Sequence, residues 1–256
     1  MPRYFIEVSY KGTRYSGFQV QQNAVTIQSE VEKALAVLFS RSFSLTGASR
    51  TDAGVHALQN YFHFDLDNDL FHSNDNLVGE NRFLQSLYSL NAILPDDIAI
   101  KRIFEVGDKV HSRFDAISRR YKYYIYREKN PFYKETAYFY PYTLDFEKLQ
   151  QAASMILDTE NFISFSKRNT QVRNFICSIY KSEWQKKNNC IIYDVVANRF
   201  LRGMVRGLVG TMLKVGTGKI SIQGFAEIIK NGNNDHVHFS VPSRGLYLIE
   251  IRYANF

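Results

Sequence analysis

The residue types best suited to chemistry in this chain stand in one polar stretch, GASRTDAGVHA (47–57), between two apolar runs. Asp52 lies at its centre, with Arg50 two positions before it and His56 four positions after. Gly47 and Gly54 admit backbone angles closed to other residues, so the stretch is able to hold an unusual, fixed shape. A carboxylate presented on such a turn can act as a nucleophile or a base. Aspartate in a loop also has a commoner use, accepting a hydrogen bond from the backbone N–H two residues on and so making the turn. Residue type alone leaves both readings open.

Two further segments carry suggestive types. NRFLRGMVRGLVGT (198–211) falls in a helix expected over 199–214. There Arg199, Arg202 and Arg206 stand at i, i+3 and i+7 and share one stripe. Leu201, Val205, Leu208 and Met212 form its apolar face. An arginine stripe is commonly a solvated surface. Against that, Gly203, Gly207 and Gly210 each cost a helix about 1 kcal/mol, which close approach of another backbone or of RNA would offset. In SRRYKYYIY (118–126), strand alternation sets Tyr121 and Tyr123 on one face and Lys122 and Tyr124 on the other. Tyr121 is then either half-buried sheet filling or a stacking surface.

Five segments, in order, resemble those of the TruA family of tRNA pseudouridine synthases. GASRTDAGVHA resembles the family's catalytic motif, with Ala48 and Ser49 between the glycine and Arg50. YKGTRYSGFQVQ (10–21) resembles its opening segment, with Lys11 where an acidic residue is usual. HSRFDAISRRYKYYIY (111–126) and NRFLRGMVRGLVGT resemble the second and third catalytic segments, and SRGLYLIEIRY (243–253) the closing strand.

The resemblance implies that Asp52 is the nucleophile, attacking carbon 6 of a uracil or the anomeric carbon of its ribose to form a covalent intermediate. The base then rotates and rejoins through carbon 5. Bonds are exchanged within one nucleotide, so no metal, redox cofactor or nucleotide donor is expected. The resemblance makes Arg206 the ion-pair partner of Asp52, and an arginine about 4 Å away would favour the anion by roughly 4 kcal/mol at an effective dielectric of 20. It sets Tyr121 against the target base, with its phenol a candidate for proton removal at carbon 5. Arg119 and Arg120 are expected phosphate contacts, Arg202 a further substrate contact, and Arg50 a flipping or phosphate residue. His56 is expected either to touch RNA or to pack the loop. Extruding a base costs a few kcal/mol, which basic and aromatic contacts must offset. The implied substrate is the anticodon arm of tRNA at positions 38, 39 and 40, and the implied assembly a homodimer.

The elements that must position these residues read as follows. Strands are expected at 3–10, 42–46, 58–66, 98–104 and 110–126, a hairpin at 175–184 and 190–197 around QKKNN, and a closing strand at 245–253. Helices are expected at 26–39, at 82–91 with Phe83, Leu87 and Leu90 inward, at 145–157 capped by Asp145, at 199–214 and at 222–230. Strands and helices succeed one another without regular βα alternation, which predicts an α+β fold with mainly antiparallel sheets and helices packed on them. Two similar α+β halves follow, an N-terminal domain over 1–110 and a C-terminal domain over 111–256. The pseudouridine synthase fold implied by the resemblance has its active-site cleft between the halves.

Composition narrows the classes. The 256 residues are 45% hydrophobic and 22% charged, as in globular domains, and lack a disorder signature. No apolar run approaches a membrane span or a signal peptide, which predicts a cytoplasmic protein. A net charge of +7 suits a polyanionic partner. Cys177 and Cys190 are too few for a disulfide framework and read as reduced thiols. DLDND (65–69) fails as a calcium loop because Leu70 and Asn76 stand where glycine and an acid are required. GTGK (216–219) is not a phosphate loop, and HVH (236–238) lacks a third metal ligand. A purely RNA-binding sheet would need no aspartate in a stiff loop, and most glycosidases need two carboxylates in defined roles.

Overall fold

In the computed structural model residues 1–66, 81–167 and 172–254 are described. They form two compact units, Met1–Ile117 with Glu250–Phe256, and Ser118–Ile249. Both are α+β. The Phe83 side chain and positions 67, 69, 70 and 76 of the rejected calcium loop lie outside the described residues.

In the first unit β1 (Arg3–Tyr10) runs between β3 (His56–Asp65) and β4 (Ile98–Val106), antiparallel to both. Its central position explains why Tyr4, Phe5 and Ile6 are all buried, without the alternation of a one-sided strand. β2 is only Thr46–Gly47, paired with β3, where the sequence predicts a strand over 42–46. α1 (Ile27–Phe39) starts at a capping box: the Thr26 hydroxyl accepts from the Ser29 N–H, and the Ser29 hydroxyl from the Thr26 N–H. Ile27, Val31, Ala34 and Leu35 are its buried stripe, as the 3.6-residue period requires. α2 (Asn81–Ile93) packs on α1 and β4.

In the second unit β5 (Ala116–Tyr126) lies beside β8 (Cys190–Ala197), and β8 beside β7 (Ile179–Lys187), both pairs antiparallel. The β7–β8 hairpin turns at Asn188 and Asn189, with φ of 51° and 60°. Asparagine tolerates this left-handed pair, which matches the twist of the strands. The short β6 (Tyr138–Phe139) pairs with β5 in parallel, so the sheet is mixed. β5 begins at Ala116 and not at 110, because His111–Asp115 closes on itself: the His111 N–H donates to Asp115 Oδ2 at 2.7 Å. α3 (Phe146–Leu157), capped by Asp145, packs on β7 and on α4 (Met204–Gly216). α5 (Ile222–Lys230) precedes the closing strand β9 (Leu246–Tyr253). Among the described residues no helix is long and apolar enough to cross a membrane.

The last residues of β9 return to the first unit. There the Ile251 N–H donates to Gln59 Oε1 at 2.9 Å and the Tyr253 hydroxyl to the Ser112 carbonyl at 2.6 Å. Ser112 is fully buried and holds His63, whose Nδ1 lies 2.7 Å from the Ser112 hydroxyl. Burial, with the Arg3 and His111 charges beside it, pushes the His63 pKa down to about 4. The folded protein therefore binds this proton less readily than the unfolded chain does. The stabilisation is complete above the unfolded value of about 6.5 and is lost as pH falls towards 4, by up to roughly 3 kcal/mol. Denaturant unfolding across pH 4–7 should show that loss, with the His63 ring signals titrating near pH 4.

Candidate active site

The loop carrying Asp52 is shaped by main chain. The Val55 N–H donates to the Asp52 carbonyl at 3.2 Å, closing a four-residue turn. Gly54 occupies its third position with φ 76°, which a residue with a side chain adopts only with strain. The Gly54 N–H, the donor that a side-chain aspartate turn would use, points at the Tyr15 carbonyl 3.4 Å away. Asp52 itself is half-buried and Arg50 is exposed.

Segment 10–18 wraps this turn. The Phe18 N–H donates to the Thr51 carbonyl at 3.1 Å, and the Gly12 N–H to His56 Nδ1 at 3.1 Å. Backbone contact is so close that a Cβ on Gly12 would sit 2.0 Å from the Val55 carbonyl oxygen. A Cβ on Gly17, where φ is 106°, would lie 3.1 Å from that of Thr51. The Tyr10 hydroxyl bonds the Thr51 hydroxyl at 2.8 Å and accepts from Asn60 Nδ2 at 3.2 Å, while the same Asn60 group donates to the Ser49 carbonyl at 2.9 Å. His56 is 1% exposed and offers almost no surface to a substrate. Of its two expected roles the geometry favours loop packing, with Nδ1 as acceptor and the proton of the neutral ring on Nε2.

The arginines of the second unit are placed differently from the sequence expectation. The helix starts at Met204, after Gly203 with φ 75°, so Arg199 and Arg202 precede it and the three-arginine stripe does not form. Arg202 is exposed. Arg206, half-buried in the first turn of α4, donates from Nε to the Val241 carbonyl (2.9 Å) and from Nη2 to the Phe239 carbonyl (3.3 Å). Of the α4 glycines, Gly210 meets another backbone, where a Cβ would lie 2.0 Å from the His238 carbonyl oxygen, and Gly207 seats the Val237 and Phe239 side chains. The His238 N–H donates to the Thr211 hydroxyl at 3.2 Å, and the Tyr123 hydroxyl to the Pro242 carbonyl at 2.7 Å. Segment 237–242 is thereby fixed along α4 and β5.

On β5 the predicted alternation holds, with Tyr121 and Tyr123 buried and Lys122 and Tyr124 partly exposed. Tyr121 is 8% exposed and packs edge-on against Phe200, ring centroids 5.1 Å apart. Arg119 is buried and donates to the Asn198 carbonyl at 2.8 Å. Arg120 is committed to Asp194 through two bonds of 2.9 and 2.6 Å, with Lys181 adding a third at 3.0 Å. A fully buried carboxylate thus holds the guanidinium fork of Arg120. Burial alone would raise the Asp194 carboxyl, but the bonds from Arg120 and Lys181 outweigh it and hold it below its usual value. Asp194 was legible as the lone acid in the apolar run CIIYDVVA, since a buried charge demands a partner. Tyr10, Thr51 and Asn60 carried no comparable signal. Among the described residues no group of three or more His, Cys, Asp or Glu is arranged to hold a metal.

The family model that matches the chain, over residues 152–254, is described as tRNA pseudouridine synthase. Over 253 residues, 99% of this chain and 96% of the relative, the sequence is 40% identical to a Parabacteroides distasonis protein named tRNA pseudouridine synthase A. Proteins of the same name from Azobacteroides pseudotrichonymphae (40% identical, 100% of this chain and 98% of the relative) and Staphylococcus aureus strain JH1 (36%, 97% and 90%) are similar end to end. The chain belongs to the TruA family of tRNA pseudouridine synthases.

The close seat of α4 on segment 237–239 has a direct test. Gly210→Ala improves helix propensity by about 1 kcal/mol, yet it forces a methyl into the His238 carbonyl. The net effect should be destabilising by about 1–3 kcal/mol, read from the denaturant midpoint.

Proposed function

We propose that this protein isomerises uridine to pseudouridine in tRNA, at positions 38, 39 and 40 of the anticodon arm, with Asp52 as nucleophile. The observation that carries the reading is the Asp52 turn itself: a half-buried aspartate in the family's motif, on a loop whose peptide groups are held by a second segment. Such a turn presents its carboxylate in one direction, which covalent attack requires. The whole-chain identity to proteins named tRNA pseudouridine synthase A supports the same substrate.

The bond changes are internal to one nucleotide. Asp52 forms a covalent adduct, the bond from uracil nitrogen 1 to the anomeric carbon breaks, and the base turns. Carbon 5 then bonds the anomeric carbon, the bond to Asp52 breaks and returns its carboxylate, the carbon 5 proton leaves for solvent, and nitrogen 1 takes a proton up. The resemblance of their segments assigns Tyr121 to stacking on the base and to proton transfer, and Arg206 to balancing the nucleophile's charge. Arg50 and Arg202, both exposed, suit contacts with phosphate. A homodimer belongs to the same proposal, and sedimentation of the purified protein tests it.

Incubation with tRNA tritiated at carbon 5 of uridine should release tritium while the strand stays intact. Asp52→Asn should slow release by about 10⁴-fold or more and leave tRNA affinity nearly unchanged. Retained turnover in that variant removes Asp52 from the mechanism, and free uracil among the products would mark a hydrolase.

A further inference from the structure

Segment 10–18 holds the Asp52 turn, so the position of that turn depends on what holds segment 10–18. One end continues β1. The other is bonded to the start of α1, where the Ser16 N–H donates to the Val25 carbonyl at 2.9 Å and the Ile27 N–H to the Gly17 carbonyl at 3.1 Å. The middle, a 3-10 turn at Gly12–Arg14 followed by Tyr15, lies outside the strands. Asp97, in the connection between α2 and β4, fastens it three times. Its carbonyl accepts from the Lys11 N–H at 2.9 Å. Its carboxylate accepts from Arg14 Nε at 2.6 Å and from the Tyr15 hydroxyl at 2.5 Å.

These bonds differ in weight. The Arg14 side chain is 66% exposed, so its ion pair is screened by water. Tyr15 is 6% exposed, and a buried hydroxyl without a partner is costly. Burial first, and then Asp97, raises the Tyr15 phenol, which keeps it a proton donor. Burial pushes the Asp97 carboxyl up, but the bonds from Arg14 and Tyr15 outweigh it and hold the group below its usual value.

From Tyr15 the path to the turn is short. Its carbonyl accepts the Gly54 N–H, two residues beyond Asp52, and Gly17 lies with its backbone against the peptide groups of Thr51 and Asp52. We propose that Asp97 is a positioning residue for Asp52, fixing Tyr15 and through it the direction in which the turn presents the carboxylate. The inference rests on the role of Asp52 proposed above. It matters because misplacing a reacting group by about 1 Å can slow a reaction on the order of 100-fold.

The test compares Asp97→Asn, Tyr15→Phe and Arg14→Gln with wild type, each below its own melting temperature. Amide hydrogen exchange at Gly54 and Phe18 in the protein without RNA reads the clamp directly. It should quicken at least about tenfold in the first two variants and less than about threefold in Arg14→Gln. Tritium release at saturating tRNA should fall about 10–100-fold in the same two variants, with tRNA affinity kept. A purely structural Asp97 would lower stability and leave the saturated rate alone. Unchanged exchange, an unchanged saturated rate, or a loss confined to affinity overturns the proposal. Absence of tritium release from wild type would instead remove the reading of Asp52, and the exchange measurement would still decide whether Asp97 orders the turn.

Discussion

Main-chain hydrogen bonding between segment 10–18 and the Asp52 turn is the constraint on which the candidate site depends. An irregular loop that is partly buried has peptide groups that no sheet satisfies, and buried peptide groups left unpaired are costly. Here a second irregular segment meets that need, giving Phe18 N–H to Thr51 and taking Gly54 N–H at Tyr15. Two backbones approach this closely only where side chains are missing, which accounts for Gly12 and Gly17 in YKGTRYSGF. The opening segment and the aspartate motif are thus one structural object, although some thirty residues separate them in the chain.

The second unit restrains its candidate residues by other means. Charge compensation inside the β-sheet commits Arg120 and Lys181 to Asp194, and the glycine face of α4 admits segment 237–239 to van der Waals contact. Arg206 and Tyr123 then hold the carbonyls that follow. A basic residue in a matched segment is therefore not automatically a ligand for phosphate. Its burial and its partner inside the chain decide.

Much of the fold was legible because its signals are local. The threonine cap of α1, the Asp145 cap of α3, the paired asparagines of the β7–β8 turn and the alternation of β5 each act over a few residues. Expectations failed where the deciding interaction is distant or conformational. Gly203 looked like a tolerated helix glycine, yet its positive φ makes it the helix boundary and takes Arg199 and Arg202 off the helix. The partner of Arg120 sits 74 residues further on, so sequence spacing gives no sign of that pair. Asp52 was conspicuous through its motif. The residues that hold its turn were not, since a tyrosine hydroxyl bonded to a threonine leaves no periodicity behind.

The closing strand also constrains how the molecule is made. Ile251 and Tyr253 bond to residues 192 and 141 positions earlier, inside a unit whose other residues end at Ile117. Synthesis proceeds from the N-terminus, so all of Ser118–Ile249 is made before that unit has its final partners. Ser118–Ile249 is continuous in sequence and has no such wait. During translation the aspartate-bearing unit therefore waits for its last strand until the second unit has been synthesised.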